Sequence, residues 1–294
     1  MDIFGIPSPA FFGQLLLGLI NGSFYAILSL GLAIIFGLLN IINFAHGAQY
    51  MVGAFVAWLA FTYLGINYWV ALLLAPLVVG LVAVLIERTM LRHLYKLDHL
   101  YGLLLTFGLA LIAEGVFKNY FGVSGQSYEV PELLQGGFNL GFMYLPIYRA
   151  WVVVAALTVC FSAWYAIERT SLGATLRAAT QRPDLVQALG INVPVLLTAT
   201  YAVGAALAAF AGVLAAPIMQ VNPVMGSNLI IVVFAVVVIG GMGSILGAIL
   251  TGLGLGVVEG LTKVFYPEAS AVVIFVVMVL VLLVKPAGLF GKQA

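Results

Sequence analysis

The sequence predicts an all-α fold: a polytopic membrane helical bundle of 8–9 transmembrane helices, with two interrupted segments in related halves. Three observations predict it. Hydrophobic residues make up 64% of the 294 positions and charged ones 7%, against roughly 25% charged in soluble domains, which excludes a soluble globular fold. The few charges are also unevenly placed. No Asp, Glu, Lys or Arg lies between Asp2 and Glu87 or between Asp184 and Glu259, and stretches of that length cannot be solvated. Finally, the apolar runs are about 20 residues long, the length of a spanning helix, whereas a lipid-exposed barrel would alternate. A formal net charge of +1 leaves no basic field for nucleic acid.

Taken in order, the apolar runs place spans near 10–37, 46–64, 69–86, 100–117, 150–167, 195–217, 228–240, 244–262 and 269–284. Positive charge marks the cytoplasmic side. By that rule the loop 87–99 with Arg88, Arg92 and Lys96, the loop 168–194 with Arg169, Arg177 and Arg182, and the C-terminal tail with Lys285 and Lys292 are all cytoplasmic. The parity closes when the glycine-rich interruption Gly240 to Ser244 divides two spans, which puts the N-terminus outside. The first residues lack a basic n-region and a small-residue cleavage site, so the first span is expected to stay in the mature chain. Cys160, the one cysteine, sits in an apolar run and reads as a buried small hydrophobe. The whole of 1–294 reads as a single transmembrane domain.

The two charge-free stretches share a layout. In the first, a long apolar helix ends at Asn40-Ile41-Ile42-Asn43-Phe44-Ala45-His46-Gly47; in the second, the helix from Val195 ends at Gln220-Val221-Asn222-Pro223. Such breaks are tolerated at membrane depth only where they line a cavity or pack inside protein. They are equally compatible with short loops at the interface. Asn40, Asn43, His46 and Asn222 can hydrogen-bond a polar solute without fixed charge, and helix capping competes as their role. Four-residue spacings of small residues, Gly18/Gly22, Gly204/Ala208/Gly212, Gly243/Gly247 and Gly252/Gly256/Gly260, read as close helix packing.

Catalytic constellations do not emerge. The chain has no phosphate-binding Gly-Lys-Ser/Thr loop, and Gly241 to Gly247 resembles a dinucleotide fingerprint only superficially, with no strand before it. Gly122-Val123-Ser124-Gly125 opens a polar loop instead of a protease-like helix, and the three histidines are dispersed, so no metal is implied. Glu114 and Glu259 are each followed four residues later by Lys118 and Lys263, which reads as helical ion pairs near the outer surface or as a polar lining of an external mouth.

Between spans, Pro183 suits a first helical position, Asp184 favours the helix N-terminus, and Gly190 suits a left-handed C-terminal cap. About two turns of helix with Leu185, Val186 and Leu189 exposed need something to dock on, either a membrane surface or a partner protein.

This segment, together with Ile42 to Gly47 and Gly240 to Ala248, resembles the permease subunits of branched-chain amino acid ABC transporters, in particular the H-type partner of the heterodimeric leucine/isoleucine/valine importer. The likeness runs from about Leu15 to Lys292, including Glu87-Arg88 and the ending Leu283 to Gly288. It implies a pore formed with a second homologous permease, two ATP-binding subunits beneath, and an extracytoplasmic substrate-binding protein. ATP would be bound by those partners, leaving this chain no cofactor and no enzymatic step. Gly173, Arg177, Ala178, Ala188, Gly190 and Ile191 match the family's cytoplasmic loop, so the resemblance makes this loop, with Arg182 and Asp184, the ATPase-coupling element. Thr180 to Asp184 departs from the common pattern. Asn43 to Gly47 matches the family's Asn-Phe-Ala-His-Gly break and would lie on the translocation path. The implied setting is a bacterial or archaeal plasma (inner) membrane, and the implied activity is import of branched-chain or related hydrophobic amino acids by alternating access. Urea or short-amide import is the alternative within the family. A lone ion-coupled secondary transporter is the alternative from another class, and it would need a mid-membrane charge cluster that neither charge-free stretch contains.

Overall fold

Backbone groups in hydrocarbon must bond within their own segment, and the long apolar runs satisfy this as helices. The computed structural model describes residues 2–3, 6–95 and 97–291; Lys96 and Lys292, counted above for sidedness, lie outside the described residues. The helices are α1 (Ser8–Leu39), α2 (Ala45–Leu64), α3 (Tyr68–Thr89), α4 (His99–Phe121), α5 (Ile147–Arg169), α6 (Ser171–Gln181), α7 (Pro183–Ala188), α8 (Val193–Met219), α9 (Met225–Gly240), α10 (Ile245–Phe265) and α11 (Val273–Val284). Seven are long and apolar enough to cross a membrane, and α9 and α11 are shorter apolar helices of 16 and 12 residues. All nine expected runs are therefore helical.

Four helix starts carry side-chain caps. Asn67, Asp98, Asn192 and Ser244 accept from the backbone N–H of Val70, Leu100, Val195 and Gly247 at 2.9–3.2 Å, each satisfying a donor that the first turn leaves orphaned.

Two compact units emerge. The first comprises 1–29, 129–160 and 232–294. Here α1 and α10 meet along the glycine spacings: a Cβ at Gly18 would lie 2.5 Å from the Gly256 carbonyl oxygen, and one at Gly256 2.3 Å from the Gly22 Cα. A short hairpin pairs Gly137–Asn139 with Tyr144–Pro146. The C-terminal tail folds onto the turn after α9, with the Leu289 and Phe290 N–H groups donating to the Ile239 and Gly240 carbonyls at 2.8 and 3.1 Å.

The second unit comprises 30–128 and 161–231. Its core gathers Ile35, Val79, Ala83, Leu91, Tyr201, Ala205 and Ala209. Small residues let α8 lie close against α2: a Cβ on Gly212 would stand 2.1 Å from the Tyr50 carbonyl oxygen, and one on Gly53 2.4 Å from the Ala209 Cα. Glu87, buried at the end of α3, accepts from the Tyr95 hydroxyl at 2.7 Å and from the Thr198 hydroxyl at 2.6 Å. Burial, followed by this hydrogen bond to Glu87, raises the Tyr95 phenol above its ordinary range.

Candidate translocation path and coupling surface

Both expected breaks are helix ends, and both are marked by the same backbone signature. Among the described residues, Asn40 (φ 53°) and Gln220 (φ 50°) are the non-glycine residues in the left-handed region, one at the end of α1 and one at the end of α8. Each break leaves backbone groups that α4 or the loop after it satisfies. The Thr106 hydroxyl accepts from the Phe44 N–H at 3.1 Å and reaches the Ile42 carbonyl at 3.1 Å. At the second break, Gln126 and Val221 exchange backbone hydrogen bonds of 2.8 and 2.9 Å.

The helices that resume after the breaks cross at glycine. A Cβ on Gly226 of α9 would stand 2.1 Å from the Gly47 carbonyl oxygen of α2, and one on Gly47 would stand 2.6 Å from that of Gly226. Beside this crossing lies a cavity of about 60 Å³, lined by residues of α2, α4, α9 and both breaks: Phe44, Met51, Phe107, Leu111, Pro223 and Ile230 form its apolar wall, and Glu114 is its one ionisable group. The Glu114 carboxylate receives Lys118 Nζ at 2.5 Å and neighbours the Ser227 hydroxyl. Glu259 is held differently, accepting from Lys263 at 2.6 Å and from the Tyr25 hydroxyl at 2.7 Å.

None of the four polar candidates of the breaks lines this cavity. Asn43 and His46 are buried. Asn43 Nδ2 donates to Gln49 Oε1 at 3.3 Å, Gln49 Nε2 donates to the Tyr201 hydroxyl at 3.2 Å, and the His46 ring fits against Gly31. Asn43 Oδ1 is buried without a hydrogen-bond partner. Asn40 is exposed. Asn222 Oδ1 accepts from the Val224 N–H at 3.1 Å, a turn that leads into α9. The positions that do line the cavity are the neighbours of these residues, Phe44, Gly47 and Pro223. Thr106, Gln49 and Tyr201 went unnoticed in the sequence because a lone hydroxyl or amide in an apolar run has no motif. The three-residue spacing of His46 and Gln49, which puts them on one face of α2, is the available signal.

Between α5 and α8 the chain forms two helices. The Pro183, Asp184 and Gly190 signals mark only the second, α7, which begins at Pro183 and ends before Gly190 in the left-handed conformation (φ 85°). The additional α6 folds back on the end of α5: a Cβ on Gly173 would stand 1.7 Å from the Ile167 carbonyl oxygen, to which Arg177 also donates at 2.8 Å. Arg177 lies 3.8 Å from Glu168 as well. Thr180 donates to the Leu38 carbonyl at 3.1 Å, joining α6 to the last turn of α1 just before the first break. In α7, Val186 is buried against Ala179 and Val193, contrary to its expected exposure, because it faces the α6–α8 joint. Leu185 and Leu189 are 60% and 79% exposed, and Ala178, Arg182, Asp184, Ala188 and Gly190 are exposed with them.

Interrupted apolar helices around a cavity, with an amphipathic helix exposed between spans, define the class as the membrane-embedded component of a solute transporter. The family described as branched-chain amino acid transport system / permease component matches residues 14–282. The chain is 34% identical over 298 residues to the high-affinity branched-chain amino acid transport system permease protein BraD of Pseudomonas aeruginosa, covering 95% of each. It is 31% identical over 301 residues to LivH of Escherichia coli, covering 96% of each. It is also 27% identical to LivM of Escherichia coli, across 90% of this chain and 67% of that protein. No solved structure matches. The chain belongs to the branched-chain amino acid transport permease family, and is a multi-pass membrane protein.

Proposed function

We propose that this chain is one of two membrane-spanning permeases of an ATP-binding-cassette importer that moves branched-chain amino acids into the cytoplasm by alternating access. The observation that carries the reading is end-to-end similarity to BraD and LivH, permeases of high-affinity branched-chain amino acid transport systems. The second permease of the pore is a LivM-like homologue. Two ATP-binding subunits hydrolyse ATP, an extracytoplasmic binding protein delivers the solute, and the assembly sits in a bacterial or archaeal plasma membrane with this chain's C-terminus in the cytoplasm. The whole chain acts as a single permease domain.

The exposed face of α7, with Asp184, Leu185, Ala188 and Leu189, is the ATPase-docking surface. Gly173 and Arg177 hold α6 on α5, so that a push on α7 passes through Thr180 to the end of α1 and the first break. Asn40, Asn43, His46 and Asn222 belong to the translocation path as residues that hold the breaks in shape, while their neighbours face the solute. Switching would follow from ATP-driven approach of the docked subunits, which biases a two-state arrangement of the helices.

The test is purification of C-terminally tagged chain from native membranes in mild detergent, followed by mass spectrometry. Two ATP-binding subunits and a second permease are expected. A chain reproducibly free of any ATPase would refute the importer and favour a lone secondary transporter. Reconstituted with its binding protein, the complex is expected to take up leucine in preference to urea; preferential urea uptake would move the chain to the amide branch.

A further inference from the structure

The cavity beside the Gly47–Gly226 crossing combines two properties that rarely meet at membrane depth. Its wall is aliphatic and aromatic, and its single ionisable group is Glu114, itself paired with Lys118. The pair is part-buried, and charge held within an apolar span is costly, so a pair placed on a cavity wall asks for a use. The Glu114 side chain is 19% exposed and that of Lys118 37%, so the two charges form a graded edge: carboxylate toward the cavity, ammonium toward the outside. The cavity's 60 Å³ accommodates on the order of four water-sized groups. The branched side chain of leucine or isoleucine belongs to that size class.

We infer that this cavity is an aliphatic amino-acid subsite in which Glu114 and Lys118 exchange partners with the zwitterion. The α-ammonium of the solute takes the place of the Lys118 ammonium at Glu114, the α-carboxylate takes Lys118, and the side chain enters the apolar wall of Phe44, Met51, Phe107, Leu111 and Ile230. The exchange creates no unpaired charge, because the solute brings one of each sign. A neutral amide such as urea offers neither charge and cannot part the pair, so the ion pair discriminates against it. The contact of Phe44 with Phe107, edge to face with centroids 6.1 Å apart, ties the wall to the first break, so occupancy of the cavity is felt where α1 ends.

The inference rests on the importer reading and is tested separately from it. The assay is equilibrium binding of radiolabelled leucine to the purified complex of both permeases and ATP-binding subunits, without the binding protein, beside leucine uptake by proteoliposomes that include it. Glu114→Gln is expected to weaken leucine binding about tenfold or more, the loss typical of a hydrogen bond to a charged group. The double variant Glu114→Lys/Lys118→Glu keeps a helical pair but reverses its polarity, and it is expected to bind leucine no better than Glu114→Gln. Native-like leucine binding by either variant overturns the subsite, as does a wild-type complex that transports leucine yet binds none. Should Glu114→Gln fail to assemble, the reversed pair alone decides. Absence of leucine uptake by the wild-type complex would refute the importer reading itself.

Discussion

Replacing Gly226 by alanine isolates the helix crossing on which the cavity rests. A methyl group there would stand 2.1 Å from the Gly47 carbonyl oxygen and 2.5 Å from its carbon, where ordinary contact begins at 3.4 Å. The shortfall of 1.3 Å (3.4 minus 2.1) falls against backbone, which no rotamer can relieve, so α2 and α9 must separate. Overpacking of this kind costs about 1–3 kcal/mol, equivalent to a drop of roughly 2–10 °C in melting temperature for a chain of this size. Cys160 supplies the assay: it is the only cysteine and is fully buried, so a thiol-reactive dye reports unfolding without engineering. Gly108→Ala and Gly254→Ala are the controls, since a Cβ at either helical position meets nothing within 4 Å and alanine is favoured over glycine in a helix by about 0.5–1 kcal/mol. Those variants should melt at or above the wild-type temperature. If Gly226→Ala melts with them, the crossing is not a backbone contact and the argument from it fails.

Thr106→Val removes the hydroxyl that serves Phe44 and Ile42; the loss is expected to be about 1–3 kcal/mol in the same dye assay, with Thr106→Ser recovering most of it. Leu185→Asp/Leu189→Asp alters two exposed side chains, so the chain should melt normally yet lose its ATP-binding subunits on affinity purification; retained subunits would remove the docking surface from α7. Burial, followed by the proximity of Tyr68, pushes the Tyr128 phenol from 10 up to about 12. The folded chain thus keeps a proton that the unfolded chain releases, so the contribution is intact below pH 10 and lost as pH rises toward 12. Melting temperatures across that window should fall, and Tyr128→Phe should flatten the fall at no cost near neutrality, because that hydroxyl has no hydrogen-bond partner.

The spans were legible because hydropathy is summed over about 20 residues and a membrane gives it no competitor. The breaks were legible because Asn, His and Pro in an apolar run have few other uses. The α6 helix was not: its eleven residues carry a polar face, and a search for apolar runs passes over an amphipathic helix. Facing was the second loss. Asn43 and His46 stand out in the sequence as polar residues, but whether a polar residue meets solute or core depends on which side of the helix the neighbours cover. Here the polar side met Gln49 and Tyr201, and the glycine side met the cavity. Glu114 was noticed through its spacing to Lys118, while its place on the cavity wall came from the packing of α4 against the two breaks.

The pairing of charges also governs how the chain responds to voltage. Glu87 is followed by Arg88 in α3, Glu114 is matched by Lys118 in α4 and Glu259 by Lys263 in α10, while α1, α2, α8, α9 and α11 hold no Asp, Glu, Lys or Arg at all. Among the nine apolar helices only α5 carries a net charge, from Arg149, Glu168 and Arg169 at its two ends. A membrane potential performs about 2.3 kcal/mol of work per elementary charge per 100 mV, and on helices that sum to zero it performs none. Displacing α3, α4 or α10 through the field would therefore move no net charge, and only α5 among the apolar helices would couple to the potential.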